Sequence, residues 1–86
     1  MEHNRVKVKI YGQEYVIAGE MSREDIIKVA AYVDNKMMEI TDAAKAAGAV
    51  PSNIAVLSAV NITSEHFKML EEMEDLKRMN FQLEKD

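Results

Sequence analysis

Few side chains in this sequence could do chemistry, and none is arranged to do it. The two histidines, His3 and His66, stand far apart, and cysteine is absent. A metal site draws on His, Cys or carboxylate ligands at short matched spacings, and no such set occurs. Gly12, Gly19 and Gly48 are scattered, so there is no glycine-rich phosphate loop, and each has a turn or cap reading instead. The sequence therefore reads as a non-enzyme with no cofactor. His66 could be a ligand or a pH switch, but its helical spacing favours a polar seam residue beside its symmetry mate. The methionines (Met37, Met38, Met69, Met73 and Met79 among seven) could form an adaptable binding surface, yet at helical spacing they read first as core filler. The run "EEMED", residues 71 to 75, reads as a solvated coiled-coil face ahead of an acidic docking motif. Lys7 and Lys9 could meet an acidic partner, and protection of an edge strand explains them equally well. Lys36 and Lys45 read as solvated first and as binding residues second.

With chemistry absent, binding is the class left, and composition narrows it. Eleven basic against 15 acidic residues give a net charge of −4. A nucleic-acid binder usually carries a basic face, so no nucleic-acid partner is expected. The N-terminal "MEHNRVKVKI" has no apolar run of signal-peptide length. The nearly apolar stretch from Ile54 to Val60 is far too short to insert in a bilayer. The expectation is a soluble, cytoplasmic protein without membrane insertion. A chain of 86 residues folds with little stability to spare. Neither disulfides nor a metal can add to it, and oligomerisation remains as the common route.

The elements that must position any binding surface can be read in order. In "RVKVKIYGQEYVIAG", residues 5 to 19, Val6, Val8 and Ile10 alternate with Lys7, Lys9 and Tyr11, the period of a half-buried strand. Gly12-Gln13 fits a two-residue loop with Gly first, the signature of a type II′ turn. That turn predicts Tyr11 opposite Glu14, Ile10 opposite Tyr15, Val8 opposite Ile17 and Val6 opposite Gly19. Val6, Val8, Ile10, Tyr15 and Ile17 then share one face. Ser22 is a candidate N-cap, with Asp25 in the place of the capping-box acid. Ile26, Ala30, Val33, Met37 and Ile40 come next at helical spacing, with Ile27 and Val29 widening the stripe. Gly48 is a stop signal. Pro51 disfavours helix at Val50, and Ser52 or Asn53 can cap a second helix.

From there to Asp86 neither Gly nor Pro appears, which allows one helix of about 34 residues, roughly 50 Å long. A helix of that length outruns so small a head and needs a partner. Spacing of 4 and 3 places Ala59, His66, Met73 and Asn80 at a, and Ala55, Ile62, Met69, Leu76 and Leu83 at d, of a heptad. Glu72 at g and Lys77 at the next e could pair across a parallel seam. Asn80 is the kind of a-position residue that fixes register. Val56 and Val60 lie off the seam and are expected to pack into the head. Phe67, Leu70 and Phe81 make a second partial stripe. The fold class expected is α+β: an N-terminal β-hairpin (5–19), one helix (22–47) and a long C-terminal helix forming a coiled coil, in an obligate oligomer. The head spans 1–60, and 61–86 is the coiled-coil extension.

The order "VKIYGQEYVIAGE", "VAAYVDNKMMEI", "NIAVLSAVNITSEHFK" resembles the ZapA family of Z-ring-associated bacterial cell-division proteins, in its short Gram-positive form. The combination "IYG", "VD.KM.EI", "AVL.AVNI" carries the resemblance, strongly over residues 5 to 70 and by character in the tail. It implies a hairpin and two helices, and a homodimer through heads and helices that longer relatives extend to a homotetramer. It also implies a non-catalytic function: binding polymers of the tubulin-like division protein FtsZ and cross-linking them at the midcell ring. The family's FtsZ-facing surface lies around the hairpin turn, the end of the first helix and the start of the second. By match it implies Gln13 at the turn, where proteobacterial relatives are basic, Lys36 and Lys45 on the first helix, and Ser52 at the start of the second. Leu57 and Asn61 match the family pattern and read as head and dimer-core positions. The resulting self-association set is Leu57, Ala59, Asn61, Ile62, His66, Met69, Met73, Leu76, Asn80 and Leu83.

Other readings compete. A small dimeric regulatory or structural interaction module unrelated to FtsZ would share these features. Dimeric strand-plus-helix regulators of this size bind DNA, which the net charge opposes. A subunit that completes a larger enzyme would copurify with it.

Overall fold

The computed structural model describes residues 3–85, with side chains through Leu83. The expected head and extension reach Met1, Glu2 and Asp86, which lie outside the described residues. The chain runs β1 (Asn4–Ile10), β2 (Gln13–Gly19), α1 (Arg23–Ala46) and α2 (Ile54–Lys85). The α+β order expected from the sequence is the one observed.

β1 and β2 pair antiparallel, with Val6 opposite Ile17, Val8 opposite Tyr15 and Ile10 opposite Gln13. This corrects the predicted register. The turn residues are Tyr11 and Gly12, with φ of 51° and 81°. Positive φ at both central positions is the requirement of a type I′ turn, not of II′. Each partner is displaced by two residues from its predicted place. A slip of two preserves the faces, because side chains alternate with period two. The apolar face therefore survives the error: Val6 and Val8 are buried, and Ile10 and Ile17 pack beside them. On the other face Lys7 lies 3.4 Å from Glu14, an exposed pair of little energetic weight.

α1 begins and ends as its sequence directs. The Ser22 hydroxyl accepts the Asp25 amide at 3.1 Å, which satisfies one of the free donors of the first turn. At the other end Gly48 has φ of 102°. Its amide donates to the Lys45 carbonyl, and the Ala49 amide donates to that of Ala44. These are the two reversed bonds of a Schellman cap, which needs a left-handed residue at the glycine. Ile26 and Ala30 on α1 are buried against Val6 and Val8. Ile27 and Val29, expected to widen this stripe, are exposed, because a two-stranded sheet is too narrow to cover more of the helix.

α2 has 32 residues, about 48 Å at 1.5 Å per residue. Ile54 and Ser58 are buried, and Ile62 and Glu65 are half-buried. That period marks the face turned to α1. Ser58 donates its hydroxyl to the Ile54 carbonyl at 2.7 Å, so its burial leaves no open donor. Val56 and Val60 do not pack into the head as expected. They are 59% and 60% exposed, because they point to the side of α2 opposite the Ile54–Ser58 face. From His66 to Leu83 every side chain is exposed. The radius of gyration is 17.8 Å and the thickness 15 Å, against about 12 Å radius for a compact chain of this length. A single copy leaves most of α2 uncovered.

Candidate partner-binding and self-association surfaces

Three polar and apolar features surround the place where hairpin, α1 and α2 meet. The first is a pair of bonds at the hairpin tip. The Tyr11 amide donates to Asp34 Oδ1 at 2.7 Å. The Tyr11 hydroxyl shares a 2.7 Å bond with the hydroxyl of Thr41, which is buried and donates in turn to the Met37 carbonyl. A strained turn is thereby tied to α1 at two points one to two helical turns apart.

The second feature joins α1 to α2. Lys36 Nζ lies 2.7 Å from Glu65 Oε1, and the Tyr32 hydroxyl donates to Glu65 Oε2 at 2.6 Å. Lys36 also approaches Glu39 at 3.6 Å, and its ammonium stands 5.8 Å from the centre of the Tyr32 ring. Tyr32 and Lys36 are four apart and so share one face of the helix. The bond from Lys36, and then that from Tyr32, hold the Glu65 carboxyl below the usual carboxylate range. The bond to Glu65 raises Lys36 and Tyr32 above their ordinary values.

The third is a groove of about 720 Å³ between the hairpin and the start of α2. The hairpin lines it with Ile10, Tyr15 and Ile17, α1 with Val33 and Met37, and the chain entering α2 with Val50, Pro51, Ser52, Ile54 and Ala55. Apolar side chains dominate it, with few polar groups at the rim, the character of a binding surface.

The residues singled out from the sequence fall at different places. Gln13 and Ser52 both line the groove, and Gln13 Oε1 accepts the Tyr15 hydroxyl at 2.8 Å. Lys36 is on the joint, with a side chain only 12% exposed. Lys45 sits in the last turn of α1, away from the groove. Of the self-association set, Ile62 is half-buried against α1, while Leu57, Ala59, Asn61, His66, Met69, Met73, Leu76, Asn80 and Leu83 are exposed. Ala55 links the two surfaces, since it lines the groove and begins the heptad stripe. Among the described residues no cluster of His, Cys, Asp and Glu could hold a metal ion.

Comparison with known proteins decides what these surfaces belong to. The family model described as cell division protein ZapA matches residues 6–85. The chain belongs to the ZapA cell-division family. It is 48% identical over 82 residues to cell division protein ZapA of Geobacillus kaustophilus, covering 95% of this chain and 85% of the relative. It is 45% identical over 74 residues to that of Bacillus anthracis, covering 86% and 81%. A solved structure, a ZapA mutant dimer from Geobacillus stearothermophilus, superposes with a TM-score of 0.68 at 42% identity, covering 92% of this chain and 90% of that one. The resemblance drawn from the sequence motifs is therefore borne out, and with it a role in cell division. Among the described residues no helix is long and apolar enough to cross a membrane.

The ZapA motifs also acquire a physical meaning. "IYG" and "VD.KM.EI" are far apart in sequence and touch in the structure, through Tyr11 on Asp34. Sequence reasoning missed Tyr11, Asp34, Thr41, Tyr32 and Glu65 as positioning groups. One signal was available: a tyrosine directly before Gly12, at a turn, asks for a tertiary reason.

Proposed function

We propose that this chain is a non-enzymatic cytoplasmic division protein that self-associates through α2, binds FtsZ polymers through its head, and bundles them at the midcell ring. The observation that carries the reading is the uncovered length of α2. From His66 to Leu83 an apolar stripe of Met69, Met73, Leu76 and Leu83 stands in solvent. Exposed apolar area of that extent is a mark of an interaction surface, and its 4-3 spacing suits another helix. A homodimer, or a homotetramer through the far ends, would cover it. Membership of a cell-division family supports the rest.

The mechanism is avidity. Weak head sites held on one oligomer engage neighbouring FtsZ subunits or filaments together, which raises apparent affinity by about two to four orders of magnitude. Gln13 and Ser52 at the groove rim, with Lys36 and Lys45 along α1, are the head residues assigned to the contact. Co-sedimentation with GTP-polymerised FtsZ, read together with light scattering, tests the proposal. Joint pelleting with increased scattering is expected. A protein that stays in the supernatant while a known bundler pellets would overturn it.

A further inference from the structure

Among the described residues Tyr11 is the one non-glycine with positive φ, at 51°. A left-handed backbone crowds any side chain that has a Cβ. Asn and Asp offset part of that cost with local hydrogen bonds, which a tyrosine cannot make. The first central position of a type I′ turn accordingly favours Asn, Asp or Gly. Strain at one residue persists only where its surroundings hold it, and it gathers at functional positions. Here Asp34 holds the Tyr11 amide and Thr41 holds its hydroxyl. Thr41 is buried and bonded to the Met37 carbonyl, so the anchor is fixed. An Asn-Gly turn would reverse the chain at lower cost. What Asn cannot do is reach Thr41.

We propose that Tyr11 is a positioning residue for partner binding. Its two bonds tie the hairpin tip to α1, and so fix Gln13, the first residue of β2, which lines the same groove as Tyr11 and Ser52. A tip held in place before the partner arrives loses less freedom on binding. The inference rests on the FtsZ-binding reading above.

The test uses the full-length chain and three variants: Tyr11→Asn, which supplies the favoured turn, keeps the backbone amide bond to Asp34 and removes the side-chain tie to Thr41; Tyr11→Phe, which removes the hydroxyl alone; and Thr41→Ser, which keeps the acceptor. Each is measured for thermal midpoint, oligomer size and apparent affinity for GTP-polymerised FtsZ. Tyr11→Asn and Tyr11→Phe are expected to keep fold and oligomer size while binding weakens by up to about tenfold, the value of one hydrogen bond. Thr41→Ser is expected to bind as the parent does. If the parent pellets with FtsZ and both Tyr11 variants pellet equally well, the inference is overturned and the binding reading stands. Equal weakening by Thr41→Ser and Tyr11→Phe would also overturn it, since the hydroxyl pair would then not be the cause. If the parent itself fails to pellet, the binding reading falls and the inference falls with it.

Discussion

Lys36 on α1 and Glu65 on α2 meet at 2.7 Å, with the Tyr32 hydroxyl on the other oxygen of the same carboxylate. This arrangement is the polar joint between the two helices. The covered face of α2 there is short: Ile54 and Ser58 are buried and Ile62 is half-buried. The bonded carboxylate therefore adds to packing in holding α2 against α1. Lys36, a candidate for FtsZ contact on sequence grounds, is already engaged within its own chain. Any partner carboxylate would have to compete with Glu65 for it.

The joint predicts a pH dependence. Glu65 is held below its ordinary value of 4.5, so its contribution is fully present above about 4.5 and is lost as pH falls through the lowered value. Lys36 and Tyr32 are raised above their ordinary 10.5 and 10.0. Their contributions are present below those values and are lost as pH rises through the raised ones. The difference in thermal midpoint between the parent and Glu65→Gln should be constant between about pH 6 and 9 and shrink below about pH 4.5. A difference unchanged down to about pH 3 would show that the carboxylate charge adds nothing.

Removing one partner of a bonded pair leaves the other unsatisfied, so the joint should also show coupling. Lys36→Met and Glu65→Gln should each lower the urea midpoint, and the double variant should lose less than the two losses added. Strict additivity would mean that the contact seen between these side chains is energetically idle.

Ile26 is the centre of the small core, fully buried against Val6, Val8 and Ala30. Ile26→Ala should cost about 2–5 kcal/mol, the usual range for deleting a buried aliphatic side chain and leaving a cavity. Equilibrium urea unfolding of the parent and variant at the same protein concentration measures it. A loss under about 1 kcal/mol would mean that the hairpin and α1 are not the stabilising core.

How far the sequence carries the reading depends on the range of the interaction involved. Ser22 and Gly48 act on neighbours within a few residues, so both caps are legible. The alternation of Val6, Val8 and Ile10 fixes the buried face even with the register wrong, because period two tolerates a slip of two. The turn itself is not legible, because local propensity points to Gly12 in first place. The contacts that move the turn to Tyr11 come from Asp34 and Thr41, far along the chain. Val56 and Val60 are misplaced for a related reason. Their hydrophobicity says that they will be covered, not by what, and the Ile54–Ser58–Ile62 face takes the contact with α1. The groove is invisible in the sequence, since it exists only once three elements converge, although Gln13 and Ser52 on its rim are reached through family resemblance.

Gly48 tests the conformational argument cleanly. Its φ is 102°, and a Cβ there would meet nothing within 4 Å. Gly48→Ala should therefore lose about 1 kcal/mol through backbone strain alone. Gly19 is equally open and lacks positive φ, so Gly19→Ala should be neutral or stabilise by a few tenths to about 1 kcal/mol. The urea midpoint of Gly48→Ala is expected to fall, and that of Gly19→Ala to hold or rise. Movement of both downward by similar amounts would put the cause in space rather than in backbone angle.

Assembly and folding can be separated at α2, where the exposed stripe lies beyond the head. Ile62 is half-buried against α1, so a charge there would injure the head as well as any oligomer. Met69 and Leu76 are exposed in the single chain, at 62% and 59%, and are the better places to intervene. Each is already about two-fifths covered, so burying the rest would stabilise by about 1–2 kcal/mol per side chain, and with four such side chains in a dimer Met69→Asp with Leu76→Asp should weaken self-association by about three to five decades. Far-ultraviolet circular dichroism should retain the hairpin and the head helices, while analytical ultracentrifugation shows a monomer at concentrations where the parent is an oligomer. FtsZ bundling should then vanish, because a single weak site cannot bridge two filaments. A folded monomer that bundles FtsZ as well as the parent would refute the avidity mechanism, and an unchanged oligomer would refute the assignment of this stripe to self-association.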